Sequence, residues 1–299
     1  MIQQHFTVDI PKGHWSQSED ASFRRCRLQW YRSWVQRIRS RRSSWQLAMG
    51  TILHAARAEF HQTPVAERSL GVLQEAFFAQ FRPYAETLEE DFRVDIQARC
   101  INALGAIWRE FGRDEQIPPG HSELRFEVDL PGNEFQFVGH VDHFYIVKER
   151  YFILYELKHT FGTSRDIMQL ELHETQTARY VWALEKSIGL PCKEVILEMV
   201  RVPVKPYRLG EVERVSTLPS KREIERAVGD LPLVMREAFR PDMFIYSSWR
   251  EGCRFDCEYY ALCLANKTGG DIQALLEEHY TSTDTPQVME AINGDTDIE

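Results

Sequence analysis

Residues 139–160 read GHVDHFYIVKERYFILYELKHT. Two β-rich runs flank the polar step Lys148-Glu149-Arg150, the pattern of a strand, a turn and a second strand. Side chains alternate along a strand, so Glu156 and Lys158 share one face and Leu157 takes the other. A turn at 148–150 sets Asp142 opposite Glu156, whereas a one-residue slip would part them. Facing carboxylates repel unless a cation lies between them, and oxygen ligands of this kind suit Mg²⁺ or Mn²⁺. A neighbouring lysine can orient a water or hold developing negative charge. These are the parts for metal-assisted phosphodiester hydrolysis. The same residues also suit a surface hairpin with a cross-strand Glu–Lys pair, which is common and weak. Against that, the charges follow Phe152-Ile153-Leu154-Tyr155, an apolar run fit for a buried strand.

Outward from the hairpin the pattern is helical on both sides. Ser16 or Ser18 can cap a helix over about 21–39. Further helices are predicted over about 45–62, 66–82 and 88–113, the last with Phe92, Ile96, Cys100, Leu104 and Ile107 at helical spacing. After Ile117-Pro118-Pro119-Gly120 the alternation of Leu124, Phe126, Val128 and Leu130 marks a strand over 122–130. Pro131-Gly132-Asn133 reads as a turn, followed by strands over 134–147 and 151–157. A helix over about 165–188, a strand over 193–202 with a partner within 204–218, and a helix over 220–239 complete the pattern. It predicts a mixed α/β fold, a sheet flanked by helices, in one domain over 1–280. Its helical part spans about 20–115, its sheet core about 120–205, and a helical, cysteine-bearing part about 219–265. Residues 281–299 read as an acidic, disordered tail.

The chain has 299 residues, is 43% hydrophobic and carries a formal charge of −9. No run approaches the roughly 18–20 apolar residues of a membrane span, and the first residues lack a signal-peptide apolar region. A cytoplasmic protein without a membrane partner is expected. A negative total argues at face value against a nucleic-acid partner, but position reverses this. Residues 21–58 hold nine arginines (Arg24, Arg25, Arg27, Arg32, Arg37, Arg39, Arg41, Arg42 and Arg57) and no acidic residue, with Trp30, Tyr31, Trp34 and Trp45 among them. Residues 268–299 hold eight acids and no Lys or Arg. Arginine for phosphates and aromatics for bases is the composition of a single-strand binding surface. It makes Arg24, Arg25, Arg27, Trp30, Tyr31, Arg32 and Trp34 candidate DNA contacts; the alternative is a solvated helix face whose aromatics point into a core.

Six cysteines in such a chain suit metal binding or burial better than a disulfide framework. Cys253-x3-Cys257-x5-Cys263, with Cys26 far upstream, supplies four thiolates, enough for a [4Fe–4S] site. Tetrahedral Zn²⁺ and unligated buried thiols are the alternatives. Cys100 and Cys192 read as core residues.

Taken in order, these residues resemble the PD-(D/E)XK nucleases, and within them the RecB-like iron–sulfur branch that includes the AddB nuclease domain, CRISPR-associated RecB-like exonucleases and phage relatives. The resemblance runs over about residues 15–265. Ser16-x-Ser18 leading to Arg25-Cys26 is similar to that branch's opening helix, and Gly50-Thr51-Ile52-Leu53-His54-Ala55 to its histidine motif. Glu123 takes the place of an acidic residue ahead of the first strand, with Glu127 and Asp129 as alternatives. Gly139-His140-Val141-Asp142 is similar to the G-x-[IV]-D strand, with His140 where arginine is common. Glu156-Leu157-Lys158 matches (D/E)-x-K, and Gln176-x-x-x-Tyr180 matches the Q-x-x-x-Y helix. Singly, His54 also suits a core histidine and the Gln–Tyr pair an ordinary helix face.

The resemblance implies a restriction-endonuclease-like sheet and a metal held by His54, Asp142, Glu156 and the Leu157 carbonyl. It implies a catalytic Lys158, with Gln176 and Tyr180 contacting DNA or shaping the site. It implies a cluster on Cys26, Cys253, Cys257 and Cys263, although the branch usually spaces its late cysteines C-x2-C-x5-C. The implied activity is a Mg²⁺- or Mn²⁺-dependent DNA exonuclease acting on single strands or ends, in phage or prokaryotic recombination, repair or defence, with a recombination, CRISPR or phage protein as partner. A catalytically inactive DNA-binding subunit keeping the fold and cluster is the alternative, and an RNA or nucleotide hydrolase a third.

Overall fold

The structure, a computed structural model, describes residues 13–41, 45–86, 88–132, 134–160, 175–203, 205–240, 253 and 257–282. The described residues fall into two compact units. One comprises the described residues of 44–131 and 136–230, the other those of 13–43, 132–135 and 231–282. Among the described residues, no helix is long and apolar enough to cross a membrane.

The second of these units joins an early and a late stretch of the chain, residues 13–41 and 231–282, among the described residues. It opens with the short strand β1 (His14–Ser16) and helix α1 (Gln17–Arg25), and the Ser16 hydroxyl caps the helix by accepting from the Glu19 N–H at 3.1 Å. The single helix expected over 21–39 is not formed. The backbone turns extended at Cys26 (φ −163°, ψ 115°), α2 (Arg27–Trp30) runs on into a π-helical turn at Tyr31–Val35, and β2 (Ile38–Ser40) follows. A regular surface helix buries one stripe, whereas Trp30, Tyr31, Arg32 and Ser33 are all buried here, on every side of the turn. Strand β2 pairs antiparallel with Tyr280–Ser282, so residues 281 and 282, assigned to the tail from sequence, belong to this unit. The rest of the expected disordered tail lies outside the described residues. Helices Leu231–Ala238, Tyr260–Thr268 and Ile272–His279 complete the unit.

The larger unit holds helices α3 (Trp45–Gln62), α4 (Leu70–Ala85) and α5 (Glu90–Phe111) and a sheet of β3 (His121–Asp129), β4 (Gln136–Val147), β5 (Tyr151–Thr160), β6 (Cys192–Arg201) and β7 (Glu211–Thr217). Strand order within the unit is β3-β4-β5-β6-β7. The β5–β6 pair is parallel and the other three are antiparallel, so the sheet is mixed. Helix α6 (Thr175–Ile188) connects β5 to β6; the part of the expected helix before residue 175 lies outside the described residues. The helix expected over 220–239 is two, Lys221–Gly229 and Leu231–Ala238, parted at Asp230 just ahead of Pro232.

Alternation along β5 decides what faces what. Tyr155 and Leu157 enter a core with Met49, Leu53 and Phe60 of α3, Phe77 of α4 and Leu104 of α5. Glu156 and Lys158 take the other face, where Gln176 of α6 meets them. The β4–β5 turn falls at 148–150 as expected, with Lys148 and Glu149 both at positive φ. Gly139 has a specific reason to be glycine. A Cβ there would lie 2.6 Å from the ring of Phe126, its cross-strand partner. That ring in turn packs edge-on against Tyr180 of α6 at 5.3 Å.

Candidate active site

The paired rungs of the β4–β5 hairpin end at His143–Tyr155, immediately before Asp142 on one strand and Glu156 on the other. Here the Leu157 N–H donates to Asp142 Oδ2 at 2.6 Å, so the carboxylate takes the place of a ladder carbonyl. Asp142 Oδ1 lies 3.0 Å from His54 Nδ1, which α3 brings from 88 residues upstream. Glu123 sits on β3 at positive φ (51°), in register with Asp142 between the rungs Ser122–His143 and Leu124–Val141. Donor atoms of His54, Glu123 and Asp142 all lie within 4.8 Å of one another. Of the acids that sequence left open, Glu123 is the one at this point; Glu127 pairs with Arg125 at 2.8 Å and Asp129 accepts from Gln136 at 3.0 Å.

The electrostatics follow from this crowding. Burial alone would lower the pKa of His54, but the carboxylates of Asp142 and Glu123 hold it above its ordinary value. Burial would raise Asp142, yet the His54 ring, Lys158 and the Leu157 N–H keep it below the usual carboxylate range. Glu123 is pushed up to about 7 by burial and by the Asp142 charge, an effect that His54 partly relieves. Two carboxylates and an imidazole this close form a donor set of hard oxygen and borderline nitrogen that fits a divalent cation such as Mg²⁺ or Mn²⁺.

Glu156 is buried and stands outside that trio. Gln176 bridges it to Lys158: Lys158 Nζ donates to Gln176 Oε1 at 2.9 Å, and Gln176 Nε2 faces Glu156 Oε2 at 3.4 Å. Tyr180, one turn on, is buried, and burial together with the charges of Glu156 and Asp142 raises its pKa far above the ordinary phenol. Leu157 offers its N–H to Asp142. His54, Asp142, Glu156, Leu157, Lys158, Gln176 and Tyr180 are thus gathered in one unit.

The aromatic and arginine residues proposed from sequence as a strand-binding surface are divided by the structure. Trp30 is fully buried among Trp15 and Phe23, its Nε1–H donating to Glu19 at 3.0 Å, and Tyr31 is buried as well. Arg32 is buried with its Nη1 3.4 Å from both the Tyr259 carbonyl and Cys263 Sγ. All three have little surface exposed. Arg27 pairs with Glu237 and Arg24 with Asp20. Arg24 and Arg25 remain exposed and Trp34 half-exposed, with Arg39 over the Trp34 ring at 5.7 Å.

Cys26, Cys253, Cys257 and Cys263 belong to one unit, and none of the six cysteines is in a disulfide. Burial pushes the Cys257 thiol up to about 11, with further contributions from the neighbouring Cys263, Cys26 and Cys253. Cys100 and Cys192 are core residues.

One buried assembly has no counterpart in the sequence reading. Arg57, one turn beyond His54 on α3, is buried although it was counted among the basic residues. Its Nη2 donates to Asp114 Oδ2 and to the Tyr155 hydroxyl, both at 2.9 Å, and to Glu198 Oε1 at 3.1 Å. Arg214 forms a fork on Asp114 at 2.7 and 2.8 Å and also bonds Glu198. His61 Nε2 reaches Asp114 Oδ2 at 2.9 Å. The one available signal was the spacing of His54, Arg57 and His61, which share a helix face.

Residues 14–264 match the PD-(D/E)XK nuclease superfamily. No curated protein matches the chain in sequence. Among solved structures, one described as a "putative exonuclease" from Eubacterium rectale superposes with a TM-score of 0.52 over 82% of this chain and 88% of its own, at 9% identity. A second, SSO0001, gives a TM-score of only 0.30 over 72% of this chain and 83% of its own, at 14% identity. The first likeness is one of fold, a mixed sheet flanked by helices.

Proposed function

This chain belongs to the PD-(D/E)XK nuclease superfamily, and we propose that it is a divalent-metal-dependent deoxyribonuclease, an exonuclease hydrolysing phosphodiester bonds of single-stranded DNA or DNA ends. The observation that carries this is the meeting of His54, Glu123 and Asp142 donor atoms within 4.8 Å, beside a lysine held by a glutamine. His54, Asp142 and Glu123 would hold Mg²⁺ or Mn²⁺, with Glu156 and the Leu157 carbonyl completing the set that the family resemblance implies. Bound there, the ion supplies Lewis-acid polarisation of the scissile phosphate and neutralises the carboxylates. Lys158, kept in place through Gln176 Oε1, orients the attacking water or offsets the negative charge growing on the phosphorus oxygens. Tyr180 of α6 packs edge-on against Phe126 of β3. The name of the structural neighbour supports the exonuclease assignment, and the family resemblance supports a setting in phage or prokaryotic recombination, repair or defence.

A fluorescent single-strand cleavage assay tests the proposal. Cleavage is expected with Mn²⁺ or Mg²⁺ and not with EDTA, and Lys158→Ala is expected to cut kcat by about 10²–10³-fold. Binding to a non-cleavable strand should weaken steeply with salt, since phosphate contacts release counterions. Salt-sensitive binding with no cleavage under any divalent ion would replace the enzyme with the non-catalytic DNA-binding subunit.

In the other unit we read Cys26, Cys253, Cys257 and Cys263 as ligands of a [4Fe–4S] cluster, supported by the electrostatic reach of three of these thiols on the fourth. Protein purified without oxygen should be brown, absorb near 400 nm and contain about four iron and four sulfide per chain, all lost in Cys257→Ser. A colourless protein with stoichiometric zinc would assign the site to Zn²⁺ instead.

A further inference from the structure

We infer that the buried ionic network of Arg57, Asp114, Glu198 and Arg214 is a positioning device for His54: it fixes the rotation and height of α3 over the sheet, and so places the imidazole against Asp142. This rests on the metal-site reading above and adds residues to it that touch neither the ion nor the substrate.

The need for such a device lies in the sequence of α3. Met49, Leu53, Ala56 and Phe60 bury an apolar surface against α4, α5 and the sheet, and apolar contact is non-directional. A helix held only in that way can slip or turn slightly at small cost, yet a metal site tolerates about 0.5 Å of misplacement. His54, Arg57 and His61 stand at i, i+3 and i+7, hence on one helix face. The lower two are tied by direction-dependent bonds. Arg57 reaches Tyr155, the residue before Glu156 on β5, and Glu198, which pairs with Leu157 across the β5–β6 ladder. His61 reaches Asp114, which Arg214 of β7 grips by two bonds. The His54 ring also rests edge-to-face on His159 of β5 at 5.0 Å. The helix is therefore pinned to the strand that carries Glu156 and Lys158. Two guanidinium groups meet two carboxyl side chains here, so the formal charges of the network cancel. A buried network of this kind gives little stability beyond what apolar residues of similar volume would give. What it supplies that they cannot is a single register.

The test is a Mn²⁺ titration by electron paramagnetic resonance on the full chain. The pair Arg57→Met with Glu198→Leu removes one charge of each sign and leaves the Arg214–Asp114 fork intact; folding is checked by circular dichroism. It is expected to weaken Mn²⁺ binding about ten-fold or more, the scale on which residues supporting a ligand act. In a His54→Ala background the same pair is expected to change affinity less than about two-fold, because the ligand it positions is gone. An equal loss in both backgrounds, or no loss beside an intact His54, would overturn the inference, since general loosening of the fold does not depend on His54. Should the pair fail to fold, Tyr155→Phe, which removes one Arg57 contact without a change of shape, is read in the same two backgrounds for a smaller loss confined to the one with His54. Wild-type protein that takes up no Mn²⁺ would remove the metal site itself, an outcome separate from a site that binds but ignores the network.

Discussion

Asp142→Asn is expected to reduce divalent-dependent cleavage by about 10³-fold or more while leaving the thermal transition nearly unchanged. The side chain does two jobs at once. Its Oδ2 accepts the Leu157 N–H at 2.6 Å, and its Oδ1 meets His54 at 3.0 Å. Asparagine keeps the shape and one acceptor oxygen for the Leu157 N–H, so the end of the hairpin ladder stays capped. What it loses is the charge at the centre of the donor set. An ion that supplies about 4 kcal/mol of transition-state stabilisation accounts for about 10³ in rate when it is lost. Single-turnover cleavage of a labelled strand, with a melting curve on the same sample, separates the two jobs. Full activity in Asp142→Asn would show that the site is wrongly assigned; inactivity with a collapsed melting curve would show the structural role to dominate.

The largest expected effect on stability comes from Asp114→Ala. This aspartate is 1% exposed, sits at φ +53°, and accepts from Arg57, His61 and both outer nitrogens of Arg214. Its removal leaves two buried guanidinium groups facing one remaining carboxylate, Glu198. Breaking a buried pair in this way costs about 3–5 kcal/mol, or roughly 6–20 °C in melting temperature for a unit of this size. Burial acts to raise the Asp114 pKa, but the His61 and Arg214 bonds and the Arg57 charge outweigh it and hold the carboxyl far below the ordinary carboxylate range. A depressed folded-state pKa gives stability that is fully present above the unfolded value of about 4 and is lost as pH falls below it. The gap between wild type and Asp114→Ala, followed by chemical denaturation, should therefore be constant from about pH 7 to 5 and narrow below about pH 4. A gap that widens on acidification would contradict the ionised role.

How far the sequence could be read depended on how far apart the interacting residues lie along it. The hairpin over 139–160 was legible because its partners are neighbours and period two fixes their faces; Glu156 and Lys158 both meet Gln176 on the face that alternation assigns them. Helix α3 and its His54 were legible through spacing and through likeness to a known motif. Glu198 was not, because it lies in the run Val195-Ile196-Leu197-Glu198-Met199, where one acid reads as an interruption of an apolar strand, and its partner Arg57 is 141 residues away. The nine arginines of 21–58 could not be sorted into surface and interior for a related reason. Composition counts charges without saying which are neutralised inside, and Arg32 and Arg57 are both buried. The extended turn at Cys26 had no local signal either; only the long-range contacts of Trp30 and Arg32 require it.

The unit built from an early and a late stretch of the chain sets an order of events during synthesis. Trp15, Ser33 and β2 leave the ribosome early, but Phe239, which packs on Trp15, Tyr259, which bonds Ser33, and Tyr280–Ser282, which pair with β2, are made some two hundred residues later. At about 5–20 residues per second, that is a wait of roughly 10–40 s. During it these early residues lack those partners while the sheet unit, complete at residue 230, is free to fold. A nascent chain stalled before residue 239 should therefore offer chaperones residues 13–41 and carry a finished sheet over 121–217 behind them.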